Sequence, residues 1–91
     1  MNNHIISLIE KFWYKNEVEY FTPIEIALFH YLVMNVPKGK TKHSNAKICA
    51  ALSTTEKTLI KARKTLISHK VITFKAGDKR EISEYQMGSF E

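Results

Sequence analysis

"SNAKICAALSTTEKTLIKARKTLISHKVITFKAG", residues 44–77, holds two apolar patterns at helical spacing, a polar break between them, and then a change of period. Ser44 stands where a helix N-cap is wanted, and Ile48, Cys49, Ala51 and Leu52 supply a buried side for about two turns. "STT" (53–55) interrupts the pattern. The next helix starts at that break in one of two ways: Ser53 caps it with Glu56 three residues on, or Thr55 caps it with Thr58 answering. Thr55 is preferred, because Leu52 followed by three polar residues makes a comfortable interhelical turn. After His69 the period falls toward two. "VITFK" (71–75) reads as a strand, "AGDK" (76–79) as a turn, and "EISEYQM" (81–87) as a second strand with Ile82, Tyr85 and Met87 as its apolar positions.

Upstream, Ile5, Leu8, Ile9, Phe12 and Trp13 repeat at i, i+3, i+4, i+7, i+8, one face of a helix over residues 4–15, and Ile6 widens the stripe. "KNEVEYF" (15–21) reads as a polar connection anchored to the core by Val18, Tyr20 and Phe21. "TPIE" (22–25) is a strong helix start: Thr22 caps, Pro23 suits the first helical position and Glu25 completes a capping box. The helix over 23–36 is apolar on nearly every side and is expected to be the most buried element. Pro37 and Gly39 stop it. "KGKTKH" (38–43) is either a loop or a brief strand. The expected fold is therefore α+β, mainly α, as one domain over residues 1–91: two helices, a helix-turn-helix over 44–69 and a hairpin over 71–87.

Composition fits a small soluble domain. The chain is 44% hydrophobic and 25% charged, which argues against disorder. No run of apolar residues is long enough for a membrane span, so no membrane partner is expected. "MNNHIISLIEK" lacks a basic leader and a cleavage site, so no signal peptide is expected. The one cysteine, Cys49, forms no internal disulfide, which suits a reducing, cytoplasmic setting. The net charge of +5 conceals a stronger asymmetry. Residues 1–37 hold two lysines against four glutamates; residues 38–80 hold twelve Lys and Arg against Glu56 and Asp78; residues 81–91 are acidic again. Positive charge gathered in one region attracts polyanions, of which nucleic acid is the commonest.

Wound at about 100° per residue, helix 55–68 is expected to bury Leu59, Ile60, Ala62, Leu66 and Ile67 and sets Lys57, Lys61 and Lys64 together on the opposite side, with Thr65 and Ser68. Arg63 borders the apolar stripe; its stem is expected to pack while its guanidinium reaches an acid or the surface. Thin residues such as Thr58 and Thr65 allow close approach to a major groove, and lysines supply donors for phosphates and base edges. The alternative is an ordinary solvated helix face. Lys75, Lys79 and Arg80 surround the hairpin tip and can follow a backbone or enter a minor groove. Ser44 and Asn45, at a helix N-terminus, can meet a phosphate, although such residues more often only cap. Lys40, Lys42 and His43 add diffuse attraction. The three helical lysines are expected to project together beside the tip formed by residues 75–80.

The order of these elements resembles a winged helix-turn-helix domain. It is most similar to the N-terminal domains of DnaD-like proteins and of plasmid or phage replication initiators, over roughly residues 22–87. "SNAKICAAL", a turn, "TEKTLIKARKTLISHKVITFKAG" and the later Tyr85 with Met87 two residues on carry the resemblance. It implies double-stranded DNA as partner, read by helix 55–68 and steadied by the hairpin as a wing, in replication initiation or control of a mobile element, with transcriptional regulation as the next choice. Ser53 and Thr54 occupy turn positions where the family usually has Gly and an aliphatic residue. Lys70 stands where Gly commonly closes the second helix. A non-Gly left-handed residue costs roughly 1 kcal/mol, so that helix is expected to end in another way.

Winged helices of this kind also serve self-association, and the N-terminal helix has more apolar surface than a core of this size needs. Ile5, Ile6, Leu8, Ile9, Phe12 and Trp13 are the candidate residues of a homodimer interface. No enzyme is expected. The four histidines are scattered, one cysteine makes no zinc site, and the three glycines form no phosphate loop, so neither metal nor small-molecule cofactor is foreseen.

Overall fold

Thr22 opens the element around which the rest is arranged. In the computed structural model, which describes residues 3–76 and 82–88, its backbone is extended and its Oγ1 accepts from the Glu25 N–H at 3.4 Å. Glu25 Oε1 in turn accepts from the Thr22 N–H at 2.9 Å, closing the anticipated capping box. The helix so started, α2 (Pro23–Asn35), buries Leu28, Phe29, Leu32 and Val33 completely. A turn of 3-10 helix, Val36–Lys38, follows it, and Gly39 takes a left-handed φ of 93°.

Helix α1 (Asn3–Glu19) precedes α2 and is one turn longer than its apolar pattern indicated. The residues read as a connection contain no Gly or Pro, and Lys and Glu favour helix, so nothing stops the helix before Glu19. Tyr20 then takes a left-handed φ of 55° with its N–H on the Asn16 carbonyl, and Asn16 Oδ1 accepts from the Phe21 N–H at 2.8 Å. Only Phe21 of the three expected anchors enters the core. Val18 and Tyr20 stay exposed, because helical geometry carries Val18 to the outer side and the left-handed turn projects Tyr20 outward. Ile5, Leu8 and Phe12 face α2, and Phe12 stacks between Phe29 and Phe21, with centroids 4.0 and 5.0 Å away.

The basic segment after Gly39 resolves as a strand, β1 (Lys42–Ser44), leading into α3 (Asn45–Leu52) and, after a three-residue turn, α4 (Glu56–Ser68). Ser44 and Thr55 cap these helices, accepting from the N–H groups of Lys47 and Thr58. Of the expected buried side of α3, Ile48 is in the core, Cys49 and Leu52 border it, and Ala51 is exposed, since two turns place only one narrow stripe inward. β2 (Ile72–Lys75) and β3 (Ile82–Met87) follow. The antiparallel sheet has the order β1-β3-β2. Its inner face carries His43, Ser83, Tyr85, Ile72 and Phe74, and its outer face Lys42, Glu84, Lys75 and Gln86. Ile82 falls on the outer face and is half exposed, because the strand period of two pairs it with Glu84 rather than with Tyr85.

Both later helices end on a left-handed residue that is not glycine. Val71 N–H reaches the Leu66 carbonyl and Lys70 N–H the Ile67 carbonyl, each at 2.9 Å, with Lys70 at φ 62°. That is a Schellman closure, and buried Val71 and Leu66 supply its apolar contact. The helix therefore ends in the way its sequence argued against. Thr54 N–H to Cys49 and Ser53 N–H to Ala50 repeat the pattern at the end of α3, with Ser53 at φ 54°. Among the described residues the fold is α+β and mainly helical, with four α-helices and a three-stranded antiparallel sheet, and no helix is long and apolar enough to cross a membrane.

Candidate nucleic-acid interface

Lys57, Lys61 and Lys64 are all exposed on α4. Of the expected buried side, Leu59, Ala62 and Leu66 are buried, whereas Ile60 is half-buried and Ile67 is 36% exposed, because both lie at the margin of the stripe that the core covers. The only ion pair among the described residues joins His69 Nδ1 to Glu19 Oε1 at 3.7 Å, so none of the three ammonium groups is held by a carboxylate. Lys57 and Lys61 border a cleft of about 350 Å³ with Thr58, Ala62 and the first turn of α2. Glu25 also lines it, but the residue is 9% exposed and its Oε1 accepts from the Thr22 N–H. The acid lowers the local potential without covering the lysines.

The small hydroxyls of this face turn inward. Thr65 Oγ1 donates to the Lys61 carbonyl at 3.3 Å, and Ser68 Oγ to the Thr65 carbonyl at 2.8 Å. Thr55 Oγ1 donates to Thr58 Oγ1 at 3.1 Å. Thr65 and Ser68 therefore contribute a low profile, not free donors, and the lysines are the donors of the face.

Arg63 departs furthest from expectation. Its side chain meets neither an acid nor the surface: it is 8% exposed. Nη1 donates to Asn45 Oδ1 and to the Tyr85 hydroxyl, both at 2.9 Å, and its central carbon lies 4.0 Å from the centroid of the Phe74 ring. The wheel angle was correct, but the side chain extends over the sheet instead of away from it, because Phe74 and Tyr85 form an aromatic shelf there. This cluster ties α3, α4, β2 and β3 to one another.

Asn45 is drawn into the same cluster. Its Nδ2 donates to Glu56 Oε2 at 3.0 Å while its Oδ1 accepts from Arg63, so both ends of the amide are engaged within the chain. Ser44 acts as the cap of α3. Of the expected hairpin contacts, Lys75 is exposed at the end of β2, opposite Glu84; Lys79 and Arg80 lie outside the described residues, as does most of the expected tip. His43 is not a surface cation. It is buried, with Nε2 2.7 Å from the Lys40 carbonyl and Nδ1 3.3 Å from the Tyr31 hydroxyl. An alternating pattern with His43 facing inward between Lys42 and Ser44 was the available signal.

The proposed dimer stripe divides. Ile5, Leu8 and Phe12 belong to the core and Ile9 packs at its edge, since α2 offers an all-round apolar partner that consumes this face. Ile6 and Trp13 remain 40% and 42% exposed, and Tyr14 and Val18 more so. Cys49 is a half-buried free thiol beside the core.

No protein-family model, curated protein or solved structure matches the chain.

Proposed function

We propose that the chain is a winged helix-turn-helix DNA-binding domain in which α4 enters the major groove of a duplex and the β2–β3 hairpin follows the backbone as the wing. The order α2, β1, α3, α4, β2, β3, with β1 joined to the outer side of β3 and a three-residue turn between α3 and α4, supports this architecture. The observation that carries the function is the exposed lysine row Lys57, Lys61 and Lys64, unpaired with any carboxylate among the described residues. Arg63 does not read bases, being locked beneath the hairpin, and Asn45 serves α3–α4 geometry rather than a phosphate. The setting inferred from the sequence resemblance is replication initiation or control of a mobile element, and transcriptional regulation is the second choice.

The Lys57→Glu, Lys61→Glu double variant tests the reading. Both side chains are exposed, so the circular dichroism spectrum is expected to be unchanged while binding to a duplex in a gel shift is lost. Retained binding with an intact fold contradicts it.

A protein-interaction role through α1 is the second reading, favoured by the exposure of Ile6, Trp13, Tyr14 and Val18 on a helix whose core face is already satisfied. A homodimer formed there would present two α4 helices to one duplex. Sedimentation of the chain at high concentration separates the cases: a strict monomer removes the dimer and leaves the DNA reading intact.

A further inference from the structure

At the other end of α2 from Lys57 and Lys61, a cleft of about 450 Å³ opens between the last turn of that helix, the Gly39–Lys42 segment and the first turn of α3. Its volume lies within the range of about 300–1,000 Å³ usual for ligand sites. Lys40, Lys42 and Lys47 line it, and no carboxylate does. The nearest acid by strand register, Glu84, is the cross-strand neighbour of Lys42 on the outer sheet face, yet it makes no ion pair and does not border the cleft.

The segment bearing Lys40 and Lys42 is held by backbone hydrogen bonds. Gly39 N–H donates to the Val36 carbonyl and Lys40 N–H to the Asn35 carbonyl, each at 3.0 Å. The Lys40 carbonyl meets buried His43, and the Thr41 carbonyl accepts from the Tyr85 N–H at 2.8 Å. Lys40, Lys42 and Lys47 thus line one pre-shaped concavity together with Tyr31, and no carboxylate among the described residues pairs with them. Ammonium groups so gathered repel one another unless an anion joins them. Tetrahedral oxyanions with several acceptor oxygens suit such a set of point-charge donors.

We propose that this cleft binds a phosphate group, held by Lys40, Lys42 and Lys47. The site is separate from the α4 face, about 15 Å away along α2 at 1.5 Å per residue. The phosphate has two possible sources, a free phosphate ligand or the backbone of a bound duplex, and the experiment distinguishes them.

Inorganic pyrophosphate is titrated into the full chain at constant ionic strength while amide resonances are followed, and affinity for a short duplex is measured in parallel. Both are repeated on Lys40→Ala, Lys47→Ala, whose side chains are exposed, so that the circular dichroism spectrum is expected to stay unchanged. Saturable shifts at Gly39–Lys42 and Lys47, absent in the variant, establish a free phosphate ligand. If pyrophosphate gives no saturable shift but the variant weakens duplex binding about tenfold and flattens its log–log salt slope by about 1.8, the backbone is the source. The absence of a saturable shift, together with duplex affinity and salt slope unchanged in the variant, overturns the proposal. Lys57→Glu, Lys61→Glu is expected to keep the pyrophosphate response, so failure of the α4 reading and failure of this one are told apart.

Discussion

Arg63 spans from α4 to the sheet, donating to Asn45 and Tyr85 and lying over Phe74, with no carboxylate among the described residues bonded to it. Burying a guanidinium is costly unless it is compensated, and here the amide oxygen and the phenol accept from Nη1 while the Phe74 ring lies against the guanidinium plane. Arg63→Ala leaves Asn45 Oδ1 and the Tyr85 hydroxyl without their partner, and is expected to lower stability by about 2–3 kcal/mol in urea unfolding. Tyr85 reports on the same cluster. Burial raises its pKa above the ordinary 10.0, an effect opposed by the hydrogen bond and charge of Arg63. Burial also raises that of Tyr31. A phenol whose pKa is higher folded than unfolded stabilises fully below the unfolded value, and that contribution is lost as pH rises past about 10 toward the folded value. Thermal scans between pH 9 and 11 should therefore show a smaller fall in Tm for Tyr85→Phe than for the parent chain; equal falls contradict the assignment. Sequence periodicity placed Arg63 at the edge of the core but named the wrong partner, because a helical wheel gives an angle and not what stands across from it.

Helix ends dominate at the scale of elements. Tyr20, Ser53 and Lys70 all occupy left-handed conformations that glycine adopts at no steric cost. Relief of about 1–2 kcal/mol of strain, reduced by the extra freedom glycine gives the unfolded chain, predicts that Ser53→Gly and Lys70→Gly each add about 0.5–1 kcal/mol. Being at separate helix ends, the two gains should add in a denaturation series. Gly88 is the converse case. A Cβ there would stand 2.0 Å from the Lys70 carbonyl oxygen and 2.9 Å from the Val71 carbonyl carbon, both backbone, while Gly88 N–H bonds to Val71 at 2.7 Å. Gly88→Ala is expected to cost about 1–3 kcal/mol, visible as a lower Tm with the helical spectrum retained. Capping residues made α2, α3 and α4 legible to within a residue or so, since Thr22, Ser44 and Thr55 mark their starts chemically. The end of α1 was not legible, because "KNEVE" is polar without being helix-breaking. Nor was β1 decided: three residues carry too little periodicity, and its pairing with β3 is a contact across some forty positions of chain.

Across the whole molecule the charge asymmetry of the sequence becomes spatial at two places. Lys57 and Lys61 border the first turn of α2, and Lys40, Lys42 and Lys47 gather beside its last turn. The lysine face of α4 was legible because helical period and composition fix it. The second gathering was not, since only the fold brings the segment after Gly39 against the start of α3. Every lysine bound to a phosphate releases counterions, so a duplex held by α4 must bind with a salt dependence that records how many of its lysines take part. Fluorescence anisotropy of a labelled duplex, measured against salt for the parent chain and for Lys57→Ala, Lys61→Ala, Lys64→Ala, tests this most directly. The triple variant is predicted to bind more weakly and to flatten the slope of log affinity on log salt by about 2.7, near 0.9 for each lost contact. A folded triple variant with the parent slope and affinity would contradict α4 as the DNA-reading helix.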